Sequence, residues 1–200
     1  MTTLYPHPRC RPLWQCPEQL PGPLLAPVRG WLLDDGSLTQ HLVDTGRAFS
    51  VERCEQRWTL PLREEAQRLH MAARERALLR QVVLRLDGTP VVFARTVFPA
   101  RSLSGPLLRL RRLANQSLGT FLFAQQGMRR SPFELTLLRG DSPFLPAALR
   151  QTAPLWVRRS VFRVAGRRLL VAEAFLDAFP PWPARLPLHR SRRATVDARL

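Results

Sequence analysis

Residues 76–98, RALLRQVVLRLDGTPVVFARTVF, constrain the fold more than any other part of the chain. Two apolar, Val- and Leu-containing runs flank Asp87-Gly88. Asp-Gly suits the two positive-φ positions of the tight hairpin turn whose twist matches that of the strands. The segment therefore reads as two long antiparallel strands. Residues 155–165 and 168–177 repeat the arrangement around Ala165-Gly166. Two further runs read as strands: residues 47–58, which alternate loosely, and FELTLL at residues 133–138. Helical signals lie between them. Leu24, Leu25, Val28, Trp31 and Leu32 recur at helical spacing until Asp34-Asp35-Gly36. Ser37 caps a second helix over residues 37–44, stopped by Gly46. Ser104, with Pro106 in the first turn, opens another, and residues 118–123 fit a short one. Residues 61–74 are a charged connector with some helical character, and residues 141–153, with two prolines, are a loop. Six strands joined mostly as hairpins, with helices between, describe an α+β domain with an antiparallel sheet. The βαβ alternation and Gly-rich phosphate loop of a doubly wound fold are missing.

The ends differ from this middle. Residues 1–23 hold prolines 6, 8, 12, 17, 21 and 23 and are expected to form an extended lead-in. The segment after Trp182, PARLPLHRSRRATVDARL, is basic and proline-broken and is expected to be disordered. One domain over residues 24–182 is thus expected, with a lead-in at 1–23 and a tail at 183–200. The chain is 45% hydrophobic and 23% charged, enough for a core. No apolar run reaches the roughly 18 residues of a membrane span, so no stable membrane insertion is expected. The N-terminus lacks a secretory apolar stretch. Cys10, Cys16 and Cys54 cannot all pair and show no CxxC spacing, so a reduced, cytoplasmic setting follows.

The formal charge is +16, and all 31 basic Lys/Arg positions are arginine. Many come as neighbours: Arg111–Arg112, Arg129–Arg130, Arg158–Arg159, Arg167–Arg168 and Arg192–Arg193. Such pairs read as solvated surface that attracts small acids or polyanions without specificity. With no zinc-finger spacing, no RNP-like motif and no helix-turn-helix, no nucleic-acid partner is expected. The histidines at 7, 41, 70 and 189 are scattered without HxxxH or HExxH, and His7, Cys10 and Cys16 lack a fourth ligand. GxSxG, GxGxxG and P-loop motifs are absent. Neither a metal nor a cofactor is expected.

Strand parity isolates two charges. Along residues 76–86 one face reads Leu78, Arg80, Val82, Leu84, Leu86, the more apolar of the two, which places Arg80 inside. Along residues 168–176 one face reads Leu169, Val171, Glu173, Phe175. A lone buried charge costs several kcal/mol unless paired or hydrogen-bonded. Arg80 and Glu173 therefore form either a structural salt bridge or a polar pocket in which Arg80 clamps a carboxylate and Glu173 accepts from a hydroxyl. Arg95, on the face of Val91, Phe93 and Val97, is a candidate support for either version, or a solvent-facing residue. Ser37-Leu38 and Ser117-Leu118-Gly119 stand at predicted helix starts, whose free N–H groups favour anions.

The stretches ARTVFPARSLSGPL, SLGTFLF and LWVRRSVFRVAGRRLLVAEAFL, in this order after the DG hairpin, resemble the bacterial chorismate pyruvate-lyases over roughly residues 24–182. The resemblance implies a six-stranded antiparallel sheet with helical flaps over a buried site. It implies that Arg80 binds the ligand's carboxylate and that Glu173 faces its hydroxyl end, both as catalytic residues. Leu38 and Leu118 would contribute backbone contacts; the family's typical methionine is Leu38 here, and its Gly-Arg-Thr is Ala94-Arg95-Thr96. Arg80 and Glu173 would share one cavity with Leu78, Val82, Val171 and Phe175. The implied reaction is chorismate to 4-hydroxybenzoate and pyruvate, at the entry to ubiquinone synthesis, in a cytoplasmic monomer without cofactor. The rival is a non-catalytic ligand-sensing domain of the kind found in bacterial transcription regulators, which share this fold. Such domains normally follow a DNA-binding domain, whereas only a proline-rich lead-in precedes here.

Overall fold

The computed structural model describes residues 9–179 together with 195–196. The expectations for residues 1–8, and most of that for the tail, lie outside the described residues. The strands are β1 (Phe49–Thr59), β2 (Ala77–Leu86), β3 (Thr89–Pro99), β4 (Arg129–Arg130), β5 (Glu134–Leu138), β6 (Leu155–Val164), β7 (Arg167–Phe175) and β8 (Thr195–Val196). They form one sheet in the order β1-β2-β3-β7-β6-β4-β8, with β5 also on β6. The six longer strands are the expected ones and pair antiparallel. The sheet gains two strands of two residues each, β4 and β8, which pair parallel with one another. Two residues are too few to show a period in the sequence.

Both hairpin turns have positive φ at their two central residues: 48° and 77° at Asp87 and Gly88, 47° and 75° at Ala165 and Gly166. That backbone twist lets β2–β3 and β6–β7 run on without splaying. The α-helices are α1 (Ala26–Leu32), α2 (Leu38–Val43), α3 (Arg63–Arg68) and α4 (Leu118–Phe123). Ser37 and Ser117 cap α2 and α4, each accepting from the backbone N–H three residues on. Ser104 does not cap, and the segment it precedes, Gly105–Arg112, is a 3-10 helix. Its buried leucines 107 and 110, and Leu113 just past its end, are three apart, which suits three residues per turn.

Helices and loops cover both faces of the sheet. On one, Trp31, Leu32, Leu38 and Leu42 pack on Val82, Leu84 and Val92, while Leu107, Leu110, Leu118 and Leu122 pack on Leu78, Phe98, Phe162 and Val171. On the other, Leu145 packs with Val83, Phe93 and Val157, and Leu69 with Leu79, Val97 and Leu170. Near its start the described chain runs beside β5. Arg9 and Gln15 donate to the carbonyls of Leu137 and Leu135 at 3.0 and 2.9 Å. An otherwise open strand edge is thereby covered.

Candidate functional site

Between the two apolar clusters of the first face lies a narrow cavity of about 40 Å³. Sheet residues Arg80, Val82, Ala94, Thr96, Val171 and Glu173 form its floor, and Leu38, Thr39, Leu118 and Gly119 form part of its roof. Of the expected apolar lining, Val82 and Val171 are there; Leu78 and Phe175 belong instead to the flanking clusters.

Arg80 is 1% exposed. Its Nη2 donates to the carbonyls of Ala114 and Gln116 at 2.9 and 2.8 Å. Ala114 sits at φ 44°, a strained position that helps turn these carbonyls inward. No carboxylate of the described residues pairs with Arg80, and its buried Nε has no partner. Burial, and secondarily the charge of Arg53, pushes the guanidinium down to about 10, so it remains a cation at neutral pH. A buried cation satisfied only by carbonyl dipoles leaves one charge to be neutralised, and an anionic ligand does that.

Glu173 is not that counter-charge. Arg80 pairs with Thr96, Thr96 with Val171, and Glu173 lies two residues beyond Val171. Two strand spacings and two residues of rise put the two Cα atoms roughly 12 Å apart. Glu173 instead accepts from Arg158 Nε at 2.6 Å through Oε2, with Arg130 Nη2 at 3.9 Å. Arg158 is fixed in turn: its Nη1 donates to the carbonyls of Trp31 and Asp34 at 2.7 and 3.2 Å, at the end of α1. Arg130, also lining the cavity, donates through Nε to Ser160 Oγ at 2.8 Å and stacks on Phe133 and Phe162. Burial, then the neighbouring Arg158, pushes Arg130 down to about 9, against the pull of Glu173, Asp34 and Asp35.

The sequence reading missed Arg130 and Arg158 by taking adjacent arginines as surface. Arg158 and Arg159 are both buried, one on each face of β6, and Arg130 is buried while Arg129 is exposed. Only Arg111–Arg112 is wholly exposed, and Arg192–Arg193 lies outside the described residues. The parity that singled out Arg80 would have found Arg158, since residues 156, 158, 160 and 162 share a face. Arg95 corrects the reading the other way. It lies between Ala94 and Thr96, which line the cavity, and so projects from the opposite face, where Glu65 takes both its Nε and Nη2 at 2.7 and 3.1 Å. It does not support the site.

Leu38 and Leu118 are buried in the cavity roof at the starts of α2 and α4. The two helices meet there: Thr39 Oγ1 and Ser117 Oγ are 2.7 Å apart. A Cβ on Gly119 would stand 3.0 Å from Thr39 Oγ1, so the glycine permits the approach. Among the described residues no group of three or more His, Cys, Asp or Glu could hold a metal ion. No helix among them is long and apolar enough to cross a membrane.

A family model described as chorismate lyase matches residues 9–182. A protein of Methylococcus capsulatus named "Probable chorismate pyruvate-lyase" is 40% identical over 154 residues, which are 76% of this chain and 95% of that one. One of the same name from Nitrosomonas europaea is 37% identical over 164 residues, 79% of this chain and 92% of the relative. Among solved structures, the effector domain of PhnF from Mycobacterium smegmatis is similar with a TM-score of 0.55 at 17% identity, covering 72% of this chain and 91% of its own. The ligand-binding domain of a putative GntR-family transcriptional regulator from Bordetella bronchiseptica gives 0.51 at 19%, covering 66% and 86%. At such identities the likeness concerns the fold alone.

Proposed function

The chain belongs to the chorismate lyase family, and from that premise we propose that it is a lyase cleaving chorismate to 4-hydroxybenzoate and pyruvate in the cavity between Arg80 and Glu173. The observation that carries the reading is Arg80, a buried cation without a counter-charge among the described residues, lining the same cavity as a fixed carboxylate. Arg80 receives the ring carboxylate through its planar fork. Glu173 Oε2 is committed to Arg158, which leaves Oε1 to accept from the 4-hydroxyl. The backbone of Leu38 and Leu118 closes over the ring. The ether C–O bond breaks, its electron pair leaving with the enolpyruvyl oxygen; the ring loses the proton from the carbon that carries the hydroxyl and becomes aromatic. The departing enolate takes up one proton at its methylene carbon and becomes pyruvate. Atoms and electrons balance without oxidant, and the residues contribute position and electrostatics.

In this reading residues 24–182 are the working unit, a cytoplasmic monomer that needs no cofactor and feeds 4-hydroxybenzoate into ubiquinone synthesis. The fold likeness to regulator effector domains supports a rival, a sensor that binds without reacting. Incubating the purified protein with chorismate separates them. The expected products are 4-hydroxybenzoate and pyruvate in equal amounts; binding with no pyruvate released would overturn the lyase reading. Glu173→Gln then divides two roles. A group assisting proton loss lowers kcat and leaves 4-hydroxybenzoate affinity intact, whereas a hydroxyl anchor lowers product affinity and changes kcat much less.

A further inference from the structure

We propose that Arg130 is a second carboxylate receptor of the cavity, holding the enolpyruvyl carboxylate of chorismate and leaving with pyruvate the task of vacating it; the assignment rests on the substrate reading above. Arg130 is 2% exposed and lines the same cavity as Arg80 and Glu173. Its Nε is satisfied by Ser160, and Nη1 makes only long contacts to the carbonyls of Asp35 and Gly36, at 3.4 and 3.3 Å. Nη2 has no hydrogen bond among the described residues; the nearest acid oxygen is Glu173 Oε2 at 3.9 Å, already bonded to Arg158 at 2.6 Å. Phe133 and Phe162, with centroids 4.0 and 4.8 Å from the guanidinium carbon, fix its plane and help exclude water.

Charge and topology point the same way. Two buried guanidiniums, Arg130 and Arg158, stand beside Glu173, while Arg80 lies roughly 12 Å off without a carboxylate partner among the described residues; Asp34, itself paired with His41, and Asp35 act on Arg130 from the turn after α1. Arg80, with its unpartnered Nε, and the unbonded Nη2 of Arg130 therefore offer two separate positions to negatively charged groups. Chorismate carries two carboxylates, and 4-hydroxybenzoate only one. In strand order Arg80 on β2 and Arg130 on β4 lie on opposite sides of Glu173 on β7. Arg80 takes the ring carboxylate and Glu173 the hydroxyl; the enolpyruvyl ether stands on the ring carbon next to that hydroxyl, which brings its carboxylate to Arg130. As the C–O bond breaks, negative charge grows on the departing fragment beside a desolvated, pre-oriented guanidinium.

The experiment measures chorismate turnover and the binding of chorismate and 4-hydroxybenzoate in the full chain, as wild type, Arg130→Gln and Arg130→Lys. For Arg130→Gln, kcat/KM on chorismate should fall by about 100-fold or more, and 4-hydroxybenzoate affinity should stay within about threefold. Arg130→Lys should recover part of the loss, having the charge without the fork. Equal losses on both ligands, or none on either, would overturn the assignment. Should Arg130→Gln fail to fold, Arg130→Lys decides it: its loss must be larger on chorismate than on 4-hydroxybenzoate. Wild-type protein that binds chorismate and releases no pyruvate would sink the lyase reading alone, since the comparison of binding still decides the role of Arg130. Wild-type protein that binds neither compound would overturn both.

Discussion

The sheet buries arginines on both of its faces and treats them in opposite ways. Under α3, Arg95 has a bidentate partner in Glu65, and Arg159 and Arg68 share Glu134 at 2.8 and 3.2 Å. On the cavity face Arg80 has two carbonyls and, among the described residues, no acid, and Arg130 shares a single glutamate with Arg158. A buried charge matched by a neighbouring acid is complete within the fold, and removing either partner leaves the other stranded. A buried charge met only by dipoles is incomplete, and removing it costs the fold little. The difference separates arginines that hold the structure from arginines that wait for a ligand, although burial alone does not distinguish them.

The comparison breaks first, and hardest, at Arg80. Arg80→Met should weaken both chorismate and 4-hydroxybenzoate by about 30- to 1000-fold in calorimetric titration, since both carry the ring carboxylate. Arg80→Lys should regain part of this. The thermal midpoint of Arg80→Met should hold or rise; a substantial drop would mean that Arg80 is structural after all. On the other face the pattern should invert. Glu65→Gln strands Arg95 and removes an acceptor for the Leu62 N–H, and should cost about 3 kcal/mol. By scanning calorimetry that is a midpoint about 6–12 °C lower. Its kcat/KM for chorismate, measured well below that midpoint, should match wild type, and a parallel loss of activity would erase the distinction between the faces.

Ligand binding sharpens the contrast further. An anion that neutralises the cavity stabilises only the folded state, by about 2.7 kcal/mol at a hundredfold excess over Kd. Chorismate or 4-hydroxybenzoate should therefore raise the midpoint of wild type and of Glu65→Gln alike, and fail to raise that of Arg80→Met at the same concentration. The smallest effect concerns the flaps, which only the cavity face has. Thr39→Val removes the 2.7 Å contact with Ser117 and about 1 kcal/mol of flap-to-flap attraction. Stopped-flow displacement of 4-hydroxybenzoate should show release about fivefold faster. An unchanged rate would mean that the product leaves by a path that does not part α2 from α4.

Local chemistry made much of this molecule readable in its sequence. The hairpins at Asp87-Gly88 and Ala165-Gly166 follow from turn residues next to one another in the chain. The inward course of Arg80 and Glu173 follows from a period of two along their own strands. Helix starts at Leu38 and Leu118 follow from capping serines one residue before. What the tertiary structure decided is where each of these meets something distant. Arg130 is buried because a two-residue strand pairs with β6, and nothing in two residues announces a strand. Arg95 is a structural residue because Glu65, thirty positions earlier, folds under the sheet to meet it. Arg80 keeps its charge uncompensated because no acid among the described residues reaches it, a property of the packed fold. A strand's own alternation selects which side chains go inside; whether a buried charge then finds a partner depends on contacts between segments far apart in sequence, which no local period encodes.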